Sequence, residues 1–538
     1  MLSLALGVAR APLVRCAALA RARHGARCAF FSTAGEGGRA AAAPRPPAAR
    51  APSRSTLGRG DGIIDVNPPR GTRDFFPDDK RLQTWLFGKF RAASAAFGFE
   101  LIDSPVLESE ALFTRKAGEE IAEQLYAFED RGGRRVALRP ELTPSLARLI
   151  LRSGGAFPRP LKWAAIGQCW RYERSTRGRR REHYQWNLDV VGVSGVEAEA
   201  ELLAAIVHFF RSVGLGPGDV RVKVSSRKLL AGLLADRGGH DPDVFARAAV
   251  LIDKRDKVDD AVVVDGLREL GIRDPQSLLG VLDARGLDDL VRAIRAEEAA
   301  GKSRGEEGGD ADGADGATAA RDSAAASGGE AEGDAAAPTS AAPSSLLEEG
   351  LSDLARLTSL SAAYGYADWI EVDPGIVRGL AYYTGVVFEV RDAKGELRAV
   401  CGGGRYDGLL ATFGGAPEPA AGFGFGDAVI VELLKDKGLL PDLPHAVDDV
   451  VAALQPEQHA EAARAAAALR ARGRSVDLLL ERKKIKWILK HAERLGAKRL
   501  VVVGPDEAAR GTLRARDVAA REEKEVTLDE LLGSPTEP

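Results

Sequence analysis

A chain of 538 residues is several times the usual ~100 to 200 residues of one domain, which excludes a peptide or small binding module and predicts two or three domains. Hydrophobic residues are 45% and charged residues 28%, as in globular proteins, and no run approaches the ~18 uncharged apolar residues that cross a bilayer, so no membrane span is expected. The net charge of −3 divides into +9 over residues 1–60 and −12 over the rest, of which −8 lies in 296–345; the remaining body is too nearly neutral to name a partner by charge.

Residues 1–60 hold ten arginines, no lysine and one acid, and can put Leu2, Leu6 and Val14 on one side of a helix. That is the pattern of an organellar transit peptide, with a disordered basic tail as the alternative. Residues 61–225 read as mixed helix and strand. Leu82, Trp85, Leu86, Phe90, Ala93 and Phe97 predict a helix over Asp78 to Gly98, with Gly98 closing it, and Phe99 to Val106 predicts a strand with Pro105 near its end. In 183–191, Tyr184, Trp186, Leu188 and Val190 alternate with His183, Gln185, Asn187 and Asp189, which predicts a strand with one polar face. An amphipathic helix over 197–213 and several short helices over 226–295 follow. The stretch 296–345 is Ala, Gly, Ser, Asp and Glu with almost nothing to bury, and is expected to be disordered. Residues 346–364 read as helix and 376–426 as glycine-rich strands. From 446, short apolar strands (Val450 to Leu454, Val476 to Leu480, Leu500 to Val503) alternate with helices over 456–472 and 483–495, which predicts parallel βαβ units in a small α/β domain after a boundary at Pro441 to His445.

Four stretches carry candidate chemistry. WRYERSTRGRRREHYQWNLDVV (170–191) predicts a hairpin in which Arg171 and Glu173 share a face and six arginines fall within 171–181 around a mobile tip at Gly178, suited to a polyphosphate and a nucleic-acid end, with a solvated basic hairpin as the alternative. In IVRGLAYYTGVVFEV (376–390), Arg378 can face a phosphoryl group and Tyr382 and Tyr383 offer aromatic walls with hydroxyls, although a tyrosine pair before a strand is often core. In CGGGRYDGLL (401–410) and GFGFGDAVIVELL (422–434), Gly422, Gly424 and Gly426 leave one strand face bare for a flat ring or a triphosphate, with Asp427 capping the next helix; a tight crossing is the alternative. In RPELTPS (139–145), Glu141 and Thr143 face the same way if extended and can receive an ammonium group, or else form an N-cap. Cys169 and Cys401, the two cysteines outside the leader, have no metal-ligand spacing, and no HExxH or GxSxG pattern occurs.

With PRGTRDFFP (69–77) and SPVLES (104–109), these strings in this order resemble the histidyl-tRNA synthetases, a family of class II aminoacyl-tRNA synthetases, over roughly 66–225 and 346–538. RGLAYYTG and GGRYDG are the most specific of them, and HYQWNLDVVG and GFGFGDAVIVELL with the leader are similar to the organellar branch of plants and algae. The resemblance implies an α+β fold: an antiparallel catalytic sheet flanked by helices, a helical insertion over 226–345, a second catalytic part over 346–440, and an anticodon-binding α/β domain over 446–538. It implies activation of L-histidine with ATP to histidyl-adenylate and transfer to the 3′ end of tRNA(His), with Mg2+ on the phosphates, in a homodimer of the chloroplast, the mitochondrion or both.

By the same resemblance Arg378 and Arg171 are catalytic, and Glu141, Leu142, Thr143, Arg171, Gln185, Asp189, Arg378, Tyr382 and Tyr383 bind histidine. ATP falls to Arg171, Glu173, Arg179, Arg181, Gly422, Gly424 and Gly426, and no side chain is implied as a metal ligand. Two positions depart from the family: its usual Glu-Arg after the glycine strand is Asp427-Ala428 here, and an Asp before the tyrosine pair is Ala381. The helix over 483–495 offers Lys483, Lys484, Lys486, Lys490, His491 and Arg494 to RNA phosphates around Ile485, Trp487, Ile488 and Leu489. A silent paralogue that binds histidine without charging tRNA, and a plain RNA-binding module, are the rival readings; the arginine-rich tip and C-terminal domain argue against the first, and the amino-acid and phosphate residues against the second.

Overall fold

The computed structural model describes residues 65–115, 123–255, 258–306, 343–377 and 382–533, so the leader, most of the acidic stretch and Arg378 lie outside the described residues. The chain divides into Met1–Val66 and Asn67–Pro538, and everything below concerns the second unit.

The first helix, Pro77–Ala96, begins with proline at its first position and Asp78 and Asp79 in its first turn, both favourable at a helix N-terminus. Gly98 ends it at φ +69°, where a side chain would be strained. The predicted strand after it is only β1 (Glu100–Leu101), because the chain turns at Asp103, whose carboxylate accepts the Ser104 N–H, and then meets Pro105. β2 (Leu107–Ser109), β3 (Tyr126–Glu129) and β4 (Arg135–Leu138) form a small antiparallel sheet in the order β2-β4-β3.

The main sheet adds β5 (Leu161–Trp170), β6 (Glu182–Val191), β7 (Val220–Ser226), β8 (Ile370–Val372), β9 (Val386–Asp392), β10 (Cys401–Arg405) and β11 (Ala420–Gly426). Its order is β1-β5-β6-β11-β10-β9-β7-β8, antiparallel except for the parallel edge strands β1 and β8. β6 alternates as the sequence predicts. Trp186, Leu188 and Val190 enter a core shared with the Pro77–Ala96 and Glu197–Ser212 helices, leaving Gln185, Asn187 and Asp189 for the opposite face. The core is aromatic at its centre: the Phe90 ring lies 4.8 Å from Trp186 and 5.0 Å from Phe209, and Trp186 Nε1 donates to Ser94 Oγ at 3.0 Å. The Glu197–Ser212 helix is amphipathic as expected: Glu197, Glu201, His208 and Arg211 form a narrow outer stripe, and the rest of the helix is buried, even at Glu199.

Between β7 and β8 run helices Arg227–Ala235, Pro242–Asp253, Asp260–Glu269, Pro275–Leu282, Leu287–Glu306 and Pro343–Ala363. The fifth continues through residue 306, so the first part of the stretch expected to be disordered is helical; 307–342 lie outside the described residues.

The C-terminal sheet contains β12 (Asp449–Ala453), β13 (Val476–Leu478), β14 (Arg499–Val503), β15 (Thr512–Asp517) and β16 (Glu523–Thr527), in the order β13-β12-β14-β15-β16. β12, β13 and β14 are the parallel set expected, with helix His459–Ala471 on one side and Ile485–Arg494 on the other. The antiparallel pair β15–β16 is an addition: its strands are half polar, and Arg514 joins Glu523 at 3.3 Å across it. Among the described residues no helix is long and apolar enough to cross a membrane.

Candidate active site

The polar face of β6, the glycines of β11 and the β5–β6 hairpin enclose a cleft of about 580 Å3. That volume suits a ligand of nucleotide size. Glu141, Thr143, Arg171, Glu173, Arg179, Gln185, Tyr382, Tyr383, Gly422, Gly424 and Gly426 all line it.

Glu141 and Thr143 reach the cleft although their segment is not extended. Leu142 is in a helical conformation (φ −96°, ψ −28°), and Thr143 opens the helix Thr143–Ser153 without capping it. Glu141 is buried and accepts the Tyr382 hydroxyl at 3.1 Å; Thr143 Oγ1 accepts from Asn187 Nδ2 at 3.3 Å. Burial, then the Glu141 carboxylate, hold the Tyr382 hydroxyl well above its usual pKa, so it remains a neutral donor. Gln185 Oε1 accepts from the Cys169 thiol at 3.3 Å, and burial pushes that thiol up to about 12, so it stays protonated.

Asp189 and Leu142 do not line this cleft; they border a small void behind it with Arg139 and Leu146. The Asp189 carboxylate lies over Gly422, where a Cβ would come within 2.1 Å of Oδ1, and it accepts a short hydrogen bond from the Tyr406 hydroxyl. Tyr406 itself faces the cleft. Burial, opposed by the Tyr406 hydrogen bond, pushes Asp189 up to about 7. Tyr406 is fixed by its neighbour: Arg405 is buried, bonds Glu199 bidentately at 2.8 and 2.6 Å, and also donates to the Val193 and Gly195 carbonyls. The bareness expected of the glycine strand is therefore divided. Gly422 accommodates Asp189, whereas a Cβ on Gly424 would meet only side-chain atoms at 3.4 Å or more and one on Gly426 would meet nothing within 4 Å.

The hairpin is formed as expected, and its tip meets the Asp427–Asp436 helix. Arg177 bonds Glu432 at 3.1 Å and both oxygens of Asp436 at 2.6 Å, and Gly178, at φ +71°, packs on Val429. Arg179 pairs with Glu173, while Arg181 stacks on the Tyr172 ring at 3.9 Å and is absent from the cleft wall. Arg171 Nε donates to the Pro140 carbonyl at 2.9 Å. Asp427 does not cap its helix: it accepts from Arg73 Nη2 and from the Tyr184 N–H, both at 2.9 Å.

The cleft also contains His183, Asn187, Tyr406, Asp253, Glu389 and Arg398, to which sequence reasoning gave no role. His183 and Asn187 stood on the polar face already recognised, and Tyr406 within GGRYDG; Asp253 comes from the Pro242–Asp253 helix and carried no local signal. Desolvation, with the Arg171 and Arg73 cations, pushes His183 down to about 3, so it is neutral at physiological pH. Among the described residues no three His, Cys, Asp or Glu side chains gather as a metal site.

Residues 71–427 match the family model described as histidyl-tRNA synthetase, and 448–534 match that of an anticodon binding domain. The chain is 49% identical over 470 residues to the histidine–tRNA ligase, chloroplastic/mitochondrial, of Arabidopsis thaliana, covering 87% of this chain and 86% of that one. It is 34% identical to the histidine–tRNA ligase of Pyrococcus horikoshii, over 86% of this chain and 97% of that one. Among solved structures, the histidyl-tRNA synthetase of Nostoc shares the fold with a TM-score of 0.65 at 24% identity, over 87% of this chain and 98% of that one. On the extent of the family match and the identity sustained along its length, this chain belongs to the class II histidyl-tRNA synthetase family.

Proposed function

We propose that the protein activates L-histidine with ATP and transfers it to the 3′ end of tRNA(His) for organellar translation. The observation that carries this reading is the convergence of Glu141, Gln185 and Tyr382 with Arg171 on one cleft. The first three suit an amino acid, and the last suits a phosphate. Glu141 and Thr143 offer oxygens to the α-ammonium, and Gln185 Oε1 keeps a lone pair for it beside the Cys169 bond. Asp189, acting through Tyr406, and Tyr383 address the imidazole, a ring with one donor and one acceptor that an apolar mimic cannot satisfy.

The attacking carboxylate is ionised at neutral pH, so the first step requires no general base; alignment and charge stabilisation perform it. Arg171 holds the α-phosphate, Arg378 cancels charge on the carboxylate and α-phosphate, Glu173 and Arg179 act around ATP in the cleft, and Arg181, outside the cleft wall, is left to the acceptor end. Arg378 carries this role by family resemblance alone. Bound Mg2+ would neutralise phosphate charge, and the Glu389 carboxylate, buried in the cleft wall, is the kind of hard oxygen donor that suits it. A homodimer through the first helix and its strand accords with Leu101, which is 55% exposed. The leader's composition and the chloroplastic/mitochondrial relative support an organellar address, and we assign 1–60 to transit, 226–345 to an insertion and 446–538 to the anticodon domain.

The test is pyrophosphate exchange into ATP with each amino acid in turn. Exchange should require histidine, and Arg378→Ala should slow adenylate formation by about 2.7 to 4 kcal/mol of lost transition-state stabilisation with little change in histidine affinity. Exchange with another amino acid would sink the reading, and an unchanged single-turnover rate would remove Arg378 from it.

A further inference from the structure

We infer that Arg398, on the connection between β9 and β10, grips the outer phosphates of the nucleotide. The inference rests on the ATP reading above and assigns a residue that reading leaves out. An outer polyphosphate end carries several negative charges and is held best by guanidinium groups not already neutralised by carboxylates. Of the arginines lining the cleft, Arg179 is neutralised by Glu173 and Arg391 by Glu389, Arg171 donates to the Pro140 carbonyl, and Arg180 and Arg398 have no carboxylate partner among the described residues; position distinguishes these two. Arg398 lines the cleft, is exposed, and has no hydrogen-bond or ion-pair partner among the described residues.

Its position follows from strand register. Cys401 lies opposite Phe425 and Gly402 opposite Gly424, and one step further the Gly426 N–H donates to the Val400 carbonyl at 3.3 Å. Continuing that antiparallel register brings residue 398 abreast of Ala428, in the first turn of the Asp427–Asp436 helix, where Ala428 and Val429 give the cleft an apolar wall. Arg398 is therefore carried to the part of the cleft where the helix supplies no cation.

Its backbone is held before any ligand arrives. The buried Asp392 carboxylate accepts the N–H groups of Glu396 at 3.1 Å and Leu397 at 2.9 Å, Leu397 packs against the main core, and the Val400 N–H donates to the Val390 carbonyl at 2.8 Å. A long cationic side chain is thus left loose on a fixed base, as suits a group that closes on a ligand from solvent.

The test compares the full-length protein with Arg398→Ala and Arg398→Lys. Arg398→Ala should raise the KM for ATP in the exchange reaction, and for pyrophosphate in adenylate pyrophosphorolysis, by at least about tenfold. Arg398→Lys should recover part of the loss. The histidine KM, the melting temperature and the rate of histidine transfer from preformed adenylate to tRNA should not change, because no outer phosphate takes part in them. An unchanged ATP KM, or equal losses for ATP and histidine, overturns the inference. Absence of histidine-dependent exchange in the unmutated protein would instead overturn the reading on which it rests.

Discussion

Burial raises the Asp189 carboxyl group well above the usual carboxylate range, against the Tyr406 hydrogen bond, and this gives the fold a pH dependence of definite sign. In the unfolded chain the group titrates near its usual 3.8, and in the folded chain at about 7. Between those values the native state holds a proton that the unfolded state has released, so this contribution is complete below pH 3.8 and is lost as the pH rises through 7. Asp189→Asn removes it. The stability difference between variant and unmutated protein should shift in the variant's favour by on the order of a few kcal/mol from pH 4 to pH 8. Urea midpoints at the two ends measure it, and a difference that stays constant with pH would show Asp189 to be ionised throughout. Sequence placed Asp189 correctly on the polar face of its strand. It could not show that Gly422 of a distant strand makes room for the carboxylate, or that Tyr406 stands between it and the cleft.

Among the elements, the Pro77–Ala96 helix and β6 support the site through a shared aromatic core, pinned by the Trp186–Ser94 hydrogen bond. Phe90 touches Trp186, Phe209 and Phe425 with ring separations of 4.8 to 5.4 Å, and Phe90→Ala should cost about 3 to 5 kcal/mol. A calorimetric loss below about 1 kcal/mol would mean that the core closes over the gap. These two elements were legible because their apolar periods are undiluted. β15 and β16 were not: TLRARD and EKEVT place charges on both faces, and their pairing is an edge hairpin held partly by Arg514 and Glu523. The Ile485–Arg494 helix was half legible. Ile488 is buried as expected, but Ile485 and Trp487 are 48% and 43% exposed, and His491 is engaged with Asp477 at 2.7 Å. Its outer face therefore offers an indole ring, stacked on His491 at 4.7 Å, as well as lysines.

At the scale of the whole molecule, every residue assigned to adenylate chemistry lies upstream of β12. Truncation after His445 should spare histidine activation and weaken tRNA charging, with the deficit changing as salt is raised, because the lost contacts are to phosphates. Equal charging by the short and full-length proteins across a salt series would refute an RNA role for the C-terminal domain. Deleting 307–342 should alter stability by no more than about 1 kcal/mol, the scale of a loop-closure change, and leave charging intact. A larger fall in Tm would give that segment a structural role. Composition alone motivates this prediction, since the segment lies outside the described residues.

The strand order has a consequence for how the protein comes into being. β11 lies between β6 and β10, so the cleft floor is completed only when Gly422 reaches Asp189, long after β5 and β6 have been made. At about 5 to 20 residues per second, the hairpin and its arginine cluster leave the ribosome roughly 10 to 50 s before the strand that closes the floor beside them. Throughout that interval the Gly422-facing edge of β6 is open, with Trp186 and Leu188 uncovered by β11. Until β11 is made, that edge of β6 presents unpaired backbone groups and is a template for pairing with other strands.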